Sequence, residues 1–265
     1  MSLEDLLAAE PGSEDYDTQL AALHARPDAS TFVAAAALLE DDDPARREAG
    51  VEVLAQLGND PEADEAGPFH DEIVALFVEL IAREEEPDVL AALATGFGHL
   101  DDDEAIGPLV ALAGHEDPTV RHAVAFGLAG HEDDRAIAAL IALTTDPSSI
   151  VRDWATHALG SQIEADTPEI REALFARLDD PDEDTQIEGI AGLAARGDER
   201  AIEPLLEARK TTEGLAIDTA LYLLAIETAA PELEEEVREA FETFLDDHPD
   251  DLPPDDLQDA FDRYE

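Results

Sequence analysis

The chain has 265 residues, with 67 Asp and Glu against 15 Lys and Arg, giving a formal net charge of −52, and it contains no cysteine. Disulfides, thiolate metal sites and cysteine nucleophiles are therefore excluded, and the scarcity of Lys and Arg argues against direct binding of nucleic acid or of an anionic membrane surface. No apolar run approaches the roughly 20 residues of a membrane span, Met1–Asp5 lacks the basic start of a signal peptide, and 45% hydrophobic residues suffice for a core despite the charge, so a cytoplasmic protein is expected.

Residues 2–28 read as one or two short helices, with Ser2 capping the first and Pro11-Gly12 breaking after it. They are expected to cover the terminal apolar face of a repeat array spanning 29–247. Within the array, Asp43, Asp117, Asp146 and Asp180 each precede a proline, an arrangement that N-caps a helix whose first residue needs no N–H. Gly58, Gly98, Gly130, Gly160 and Gly197 stand where helices would stop in a left-handed turn. The insert around 59–68 reads as a loop. Residues 248–265 form an acidic tail in which Leu257, Phe261 and Tyr264 outline a short amphipathic helix; the density of acid favours a mobile tail over a docked one.

The array is defined by register. Asp117-Pro118-x-x-Val120-Arg121 is echoed by Asp146-Pro147 and Val151-Arg152, and the equivalent marks are Arg47, Leu90, Arg121, Arg152, Gln186 and Ile217, spaced 43, 31, 31, 34 and 31. Seven residues after each mark stands a large apolar residue: Leu54, Phe97, Leu128, Leu159, Leu193 and Leu224. A second series, Ile106, Ile137, Ile170, Ile202 and Leu233, recurs at 31 to 33 residues and opens helices with an i, i+3, i+4 apolar face. Helix, acidic turn, helix, with no strand pattern, predicts an all-α fold: an α-solenoid of about six antiparallel helix pairs stacked into a right-handed superhelix.

Asp-Pro-x-x-Val-Arg, the Ala-rich helix ending in Leu-Gly and the following Ala-Ile-x-x-Leu resemble HEAT-like repeats of the short, phycobilisome-lyase type, over about residues 30–245. The resemblance implies a HEAT/armadillo-like scaffold or adaptor whose Val-Arg helices line the concave face. It also implies an alternative, since hydroxylase-like and lyase-like enzymes share the fold. Deoxyhypusine hydroxylase holds its metal with His-Glu pairs inside repeat helices; here His115-Glu116 and His131-Glu132 fall in turns, and the in-helix place reads His122-Ala123.

On each Val-Arg helix, positions −1, +2, +3, +6 and +7 from the mark form the expected apolar face. The opposite stripe, +1 and +5, gives Glu48/Glu52, Ala91/Thr95, His122/Phe126, Asp153/His157, Ile187/Ala191 and Asp218/Tyr222. Phe126 and Tyr222 interrupt the acidic coat and are candidate anchors for a protein or extended peptide, with His122, Asp153, His157 and Asp218 around them; cover by the neighbouring repeat is the competing account. His122, Asp153 and His157 could alternatively hold a metal or small ligand, against an ordinary Asp–His hydrogen bond. Arg47, Arg121 and Arg152 are expected to be structural repeat positions, with Arg121 and Arg152 forking onto acidic turns of adjacent repeats, and Trp154 to lie in the core. With no Gly-rich phosphate loop and no Gly-x-Ser-x-Gly elbow, no cofactor and no catalytic residue is implied. The acid spread along the whole chain, with Lys210 the single lysine, resembles the composition of extreme halophiles; mimicry of nucleic acid is the rival reading.

Overall fold

A computed structural model describes residues 3–58, 67–210, 215–228, 230–247 and 254–264; the expected Ser2 cap and the loop over 59–66 lie outside them. The described residues are helical with no strand. The fold is an all-α solenoid, and the chain divides into two compact units, Met1–Ala139 and Leu140–Glu265.

The first unit begins with α1 (Leu3–Ala8) and α2 (Glu14–His24), the latter capped by Ser13 Oγ, which accepts from the Tyr16 N–H at 3.2 Å. Helix pairs follow: α3 (Ala29–Leu38) with α4 (Pro44–Ala55), α5 (His70–Ile81) with α6 (Pro87–Leu100), and α7 (Ile106–Leu112) with α8 (Pro118–Leu128). Asp43 and Asp117 cap α4 and α8, accepting from Ala45 N–H (3.1 Å) and Thr119 N–H (2.8 Å), each with proline at the first helical position. α4, α6 and α8 lie side by side, and each packs against the helix that precedes it. Phe77 and Phe97 meet edge to face at 5.7 Å in the core, with Leu54, Leu93 and Leu128 fully buried around it.

α9 (Asp134–Leu143) spans the division between the units. The second unit continues with α10 (Ser149–His157), α11 (Pro168–Phe175), α12 (Glu183–Ala194), α13 (Ile202–Ala208), α14 (Leu215–Thr228), α15 (Glu234–Asp247) and α16 (Asp255–Asp262). α10, α12, α14 and α16 stack in that order. α10 runs on into one π turn, Ala158–Gln162, closed by Ile163 N–H donating to Ala158 O at 3.1 Å. The Arg196 guanidinium grips this turn, donating to the carbonyls of Leu159 (2.7 Å), Gly160 (2.9 Å) and Ile163 (2.8 Å), and to Gly192 of its own helix (2.9 Å).

Four expectations are corrected. α16 is docked rather than mobile: Leu257 and Ala260 are buried against α14 and α15, and Tyr264 Oη donates to Ala230 O at 2.7 Å. Asp146 and Asp180 are not helix caps, because α10 starts two residues later after Ser148 and α12 is capped by Asp182; Asp146 accepts instead from Ser148 N–H within the turn (2.9 Å). Gly98 and Gly160 lie inside helical turns, whereas Gly58, Gly130 and Gly197 do take positive φ. Finally, the buried face is rotated toward +4. Positions +3, +4 and +7 are buried in all six repeats, while Ala92, Trp154 and Glu188 at +2 are half-buried, so Trp154 is not core.

Candidate functional site

The +1/+5 stripe follows from that rotation: all six pairs, from Glu48/Glu52 to Asp218/Tyr222, are half-buried, and none is fully exposed. Such positions sit in the flank between stacked helices, where a helix surface is concave and partly dry.

In the first unit the stripe opens on a cavity of about 320 Å³. Glu48 and Glu52 of α4 face Ala91 and Thr95 of α6, with Leu20 of α2 and His99 of α6 completing the walls. α2 is drawn across α4 by two contacts on one residue: Tyr16 Oη donates to the Glu52 carboxylate, and His24 Nε2 lies 2.9 Å from Glu52 O. Burial pushes the Glu52 carboxyl up from its ordinary value, opposed by the Tyr16 hydrogen bond. Burial also raises Glu48, with the Glu52 and Asp88 carboxylates adding to it. His99 is pushed down by burial and by His24. Phe126 of α8 stands beside this cavity, its ring 5.4 Å from that of His99 and packed on the bare Cα of Gly98, so it is half-covered by the preceding repeat. His122 is half-buried and its pKa is lowered by burial.

In the second unit, Asp153 and His157 lie on α10. His157 Nδ1 pairs with Glu188 of α12 at 3.0 Å rather than with Asp153, and its ring meets Trp154 edge-on at 6.0 Å. The Glu188 hydrogen bond raises the imidazole pKa against burial. Asp153 is pushed up to about 6 by burial and then by Glu188, Asp184 and Asp182. On α14, Tyr222 is raised by burial and by Asp218, whose carboxylate is 3.8 Å from Arg209. Among the described residues no group of three or more His, Cys, Asp or Glu that could hold a metal ion is found.

The register-mark arginines fasten turns. Arg47 forks onto Glu84 (2.8 and 2.9 Å) and donates to Asp41 O of its own turn. Arg152 forks onto Asp180 (3.0 and 2.7 Å) and donates to Asp146 O. Arg121 donates to His115 O and Glu116 O. Burial works against an ionised Asp180, but the Arg152 fork and the Asp182 N–H outweigh it and hold the carboxyl below its usual range.

Tyr16, His24 and His99 belong to this site and carry no register signal. Tyr16, Leu20 and Leu23 do repeat at helical spacing after the Ser13 cap, which marks an apolar face on α2 but not where it lands. His99 lies one residue past Gly98, where the sequence predicts the helix to stop, whereas α6 runs on to Leu100.

Residues 74–160 match the HEAT repeats family. Among solved structures, the Escherichia coli protein YibA is 21% identical, covering 98% of this chain and 91% of its own, with a TM-score of 0.69. An engineered protein is 20% identical with a TM-score of 0.52, covering 100% of this chain and 78% of its own. The complex of CpcE and CpcF of phycocyanin lyase from Nostoc sp. PCC7120 is 18% identical with a TM-score of 0.48, covering 86% and 95%. No curated protein matches the chain in sequence. HEAT repeats are thus shown over 74–160, and stacked helix pairs of the same kind stand before and after them.

Proposed function

We propose that the protein is a cytoplasmic, non-enzymatic scaffold or adaptor that holds a protein or extended peptide along its +1/+5 stripe. The observation that supports this reading is the uniform half-burial of the stripe, which opens at Glu48, Glu52, Ala91 and Thr95 into the cavity under α2. Half-buried apolar and aromatic positions framed by acid are the ground on which interface anchors stand. Phe126, already packed on α6, is a rim to that surface; Tyr222 and Asp218 lie on the same stripe of α14. No helix among the described residues is long and apolar enough to cross a membrane.

The test is capture from a lysate of the source organism at molar salt, with the unaltered chain and with an Ala91→Arg, Thr95→Arg double variant. Both substitutions bring bulk and charge onto half-buried stripe positions. Capture of a defined partner that falls at least tenfold in the double variant, with an unchanged circular-dichroism spectrum, supports the stripe. Undiminished capture by a folded double variant overturns it.

A further inference from the structure

Among the described residues, three buried carboxylates that tie turns, Glu84, Asp180 and Asp198, are each paired with arginine. The Glu84 side chain, 4% exposed, takes the Arg47 fork; that of Asp180, 1% exposed, takes Arg152 and Arg177; that of Asp198, 9% exposed, takes Arg171 and Arg200. Glu48 and Glu52 break the pattern. They sit one helical turn apart on α4, where like charges repel, and the cavity they share contains no Lys or Arg. Among the described residues the Glu52 carboxylate is met by one neutral donor, Tyr16 Oη, and Glu48 makes no hydrogen bond or ion pair. Asp88 adds a third carboxylate to the same lining.

The rest of the lining is mixed, with Gln56, Thr95, His99 and Thr119 beside an apolar patch. Leu20, Ala55, Ala91 and Ala92 give it a hydrocarbon wall, with the carboxylates along one side. At about 320 Å³ it is at the low end of ligand pockets, about 300–1,000 Å³, which suits one long side chain rather than a cofactor. A methylene stem ending in a positive charge is the shape that fits a hydrocarbon wall with an acidic lip.

We infer that this cavity receives an arginine or lysine side chain of the partner's extended segment, its stem against Leu20, Ala91 and Ala92 and its charge between Glu48 and Glu52. The inference rests on the scaffold reading and names what the partner brings to it. It also explains how recognition can survive in concentrated salt: exposed charges separated by more than about 3 Å are screened at 1 M, but a partly buried pair is screened much less.

The probes are three blocked pentapeptides, acetyl-Gly-Ser-X-Ser-Gly-amide, with X as arginine, its uncharged isostere citrulline, or leucine, titrated into the 15N-labelled full chain at 1 M KCl. The arginine peptide is expected to shift the amides of Leu20, Glu52, Thr95 and His99 and to bind at least tenfold more tightly than the citrulline peptide. Glu48→Gln should erase most of that difference. Because the citrulline comparison uses the unaltered chain, it decides the matter even if the variant fails to fold. Equal binding of the arginine and citrulline peptides, binding of arginine elsewhere, or a folded Glu48→Gln chain that keeps the tenfold preference overturns the proposal. Loss of partner capture in the stripe double variant without arginine binding would leave the scaffold standing and remove the cation. Arginine binding here, with capture undisturbed in that variant, would do the reverse.

Discussion

Asp153 and Asp180 show how differently the same side chain is treated within one unit. Asp180 is buried yet forked by Arg152, so its ionised form is favoured; removing one partner of such a pair leaves an uncompensated buried charge, a loss of about 3–5 kcal/mol in other proteins. Exposed pairs such as Arg83–Glu40 contribute about 0–1 kcal/mol. Asp153 has no such partner, and its carboxyl holds a proton up to about pH 6, whereas an unfolded aspartate releases it near about 3.9. Between those values the native state binds more protons than the unfolded one, so this group's contribution makes stability fall as pH rises through that window and leaves its full cost above it. Asp153→Asn should therefore raise the melting temperature at pH 7, with the gain shrinking toward pH 4. Melts of both chains at pH 4, 5 and 7 check this; a gain that is constant with pH would place the cost elsewhere.

The elements are held at close quarters by small residues. A Cβ on Gly127 of α8 would stand 2.5 Å from Ala94 O and 3.0 Å from Leu109 Cδ1, whereas one on Gly107 of α7 would meet nothing. Gly127→Ala is thus expected to cost about 1–3 kcal/mol by forcing α6 and α8 apart, and Gly107→Ala to gain about 0.5–1 kcal/mol from helix propensity. Urea denaturation of the two variants measures both, and equal midpoints would refute the close approach. That helices stack here was legible in the sequence, since the marks and the apolar residue seven places on set their register. The rotation of the buried face was not. Val51, Ile190 and Leu221 mark the +4 position in three repeats, but Ala94, Ala125 and Thr156 fill it in the other three and differ too little in hydrophobicity from the neighbouring alanines to give the face a common direction; only packing on two sides reveals it. Asp146 and Asp180 misled for a related reason: Asp-Pro is equally at home in a tight turn two residues ahead of the helix.

At the scale of the whole molecule, 67 carboxylates oppose 15 cations, and many of those cations are engaged in turn forks and local pairs. The remaining charge repels itself unless salt intervenes, with a Debye length of about 10 Å at 0.1 M and about 3 Å at 1 M. Helix content and melting temperature should rise steeply in KCl between those concentrations; circular-dichroism melts that stay flat would remove the halophilic reading. The candidate site was half legible at this scale. Periodicity located the stripe, including Glu48, Glu52, Ala91 and Thr95, but the wall that turns a stripe into a cavity comes from α2, placed by a Tyr16–Glu52 contact across 36 residues. The conspicuous aromatics of the stripe, Phe126 and Tyr222, do not line that cavity. The docked α16 was lost in the same way, because the acid around it outweighed the apolar edge formed by Leu257, Ala260 and Tyr264.

The π turn after α10 also bears on how such an array changes length over generations. A π turn takes one residue more than an α turn while the chain enters and leaves in nearly the same direction, and it falls in the interval where the marks are 34 apart instead of 31. The extra residue turns carbonyls away from their usual donors, and Arg196, one repeat later, supplies the donors in their place. The widened turn and the arginine are therefore physically coupled. Without the arginine the widened turn leaves orphaned acceptors, and without the widened turn the arginine is a buried charge with too few of them. Each is held in place by the other, because losing either alone leaves polar groups without partners.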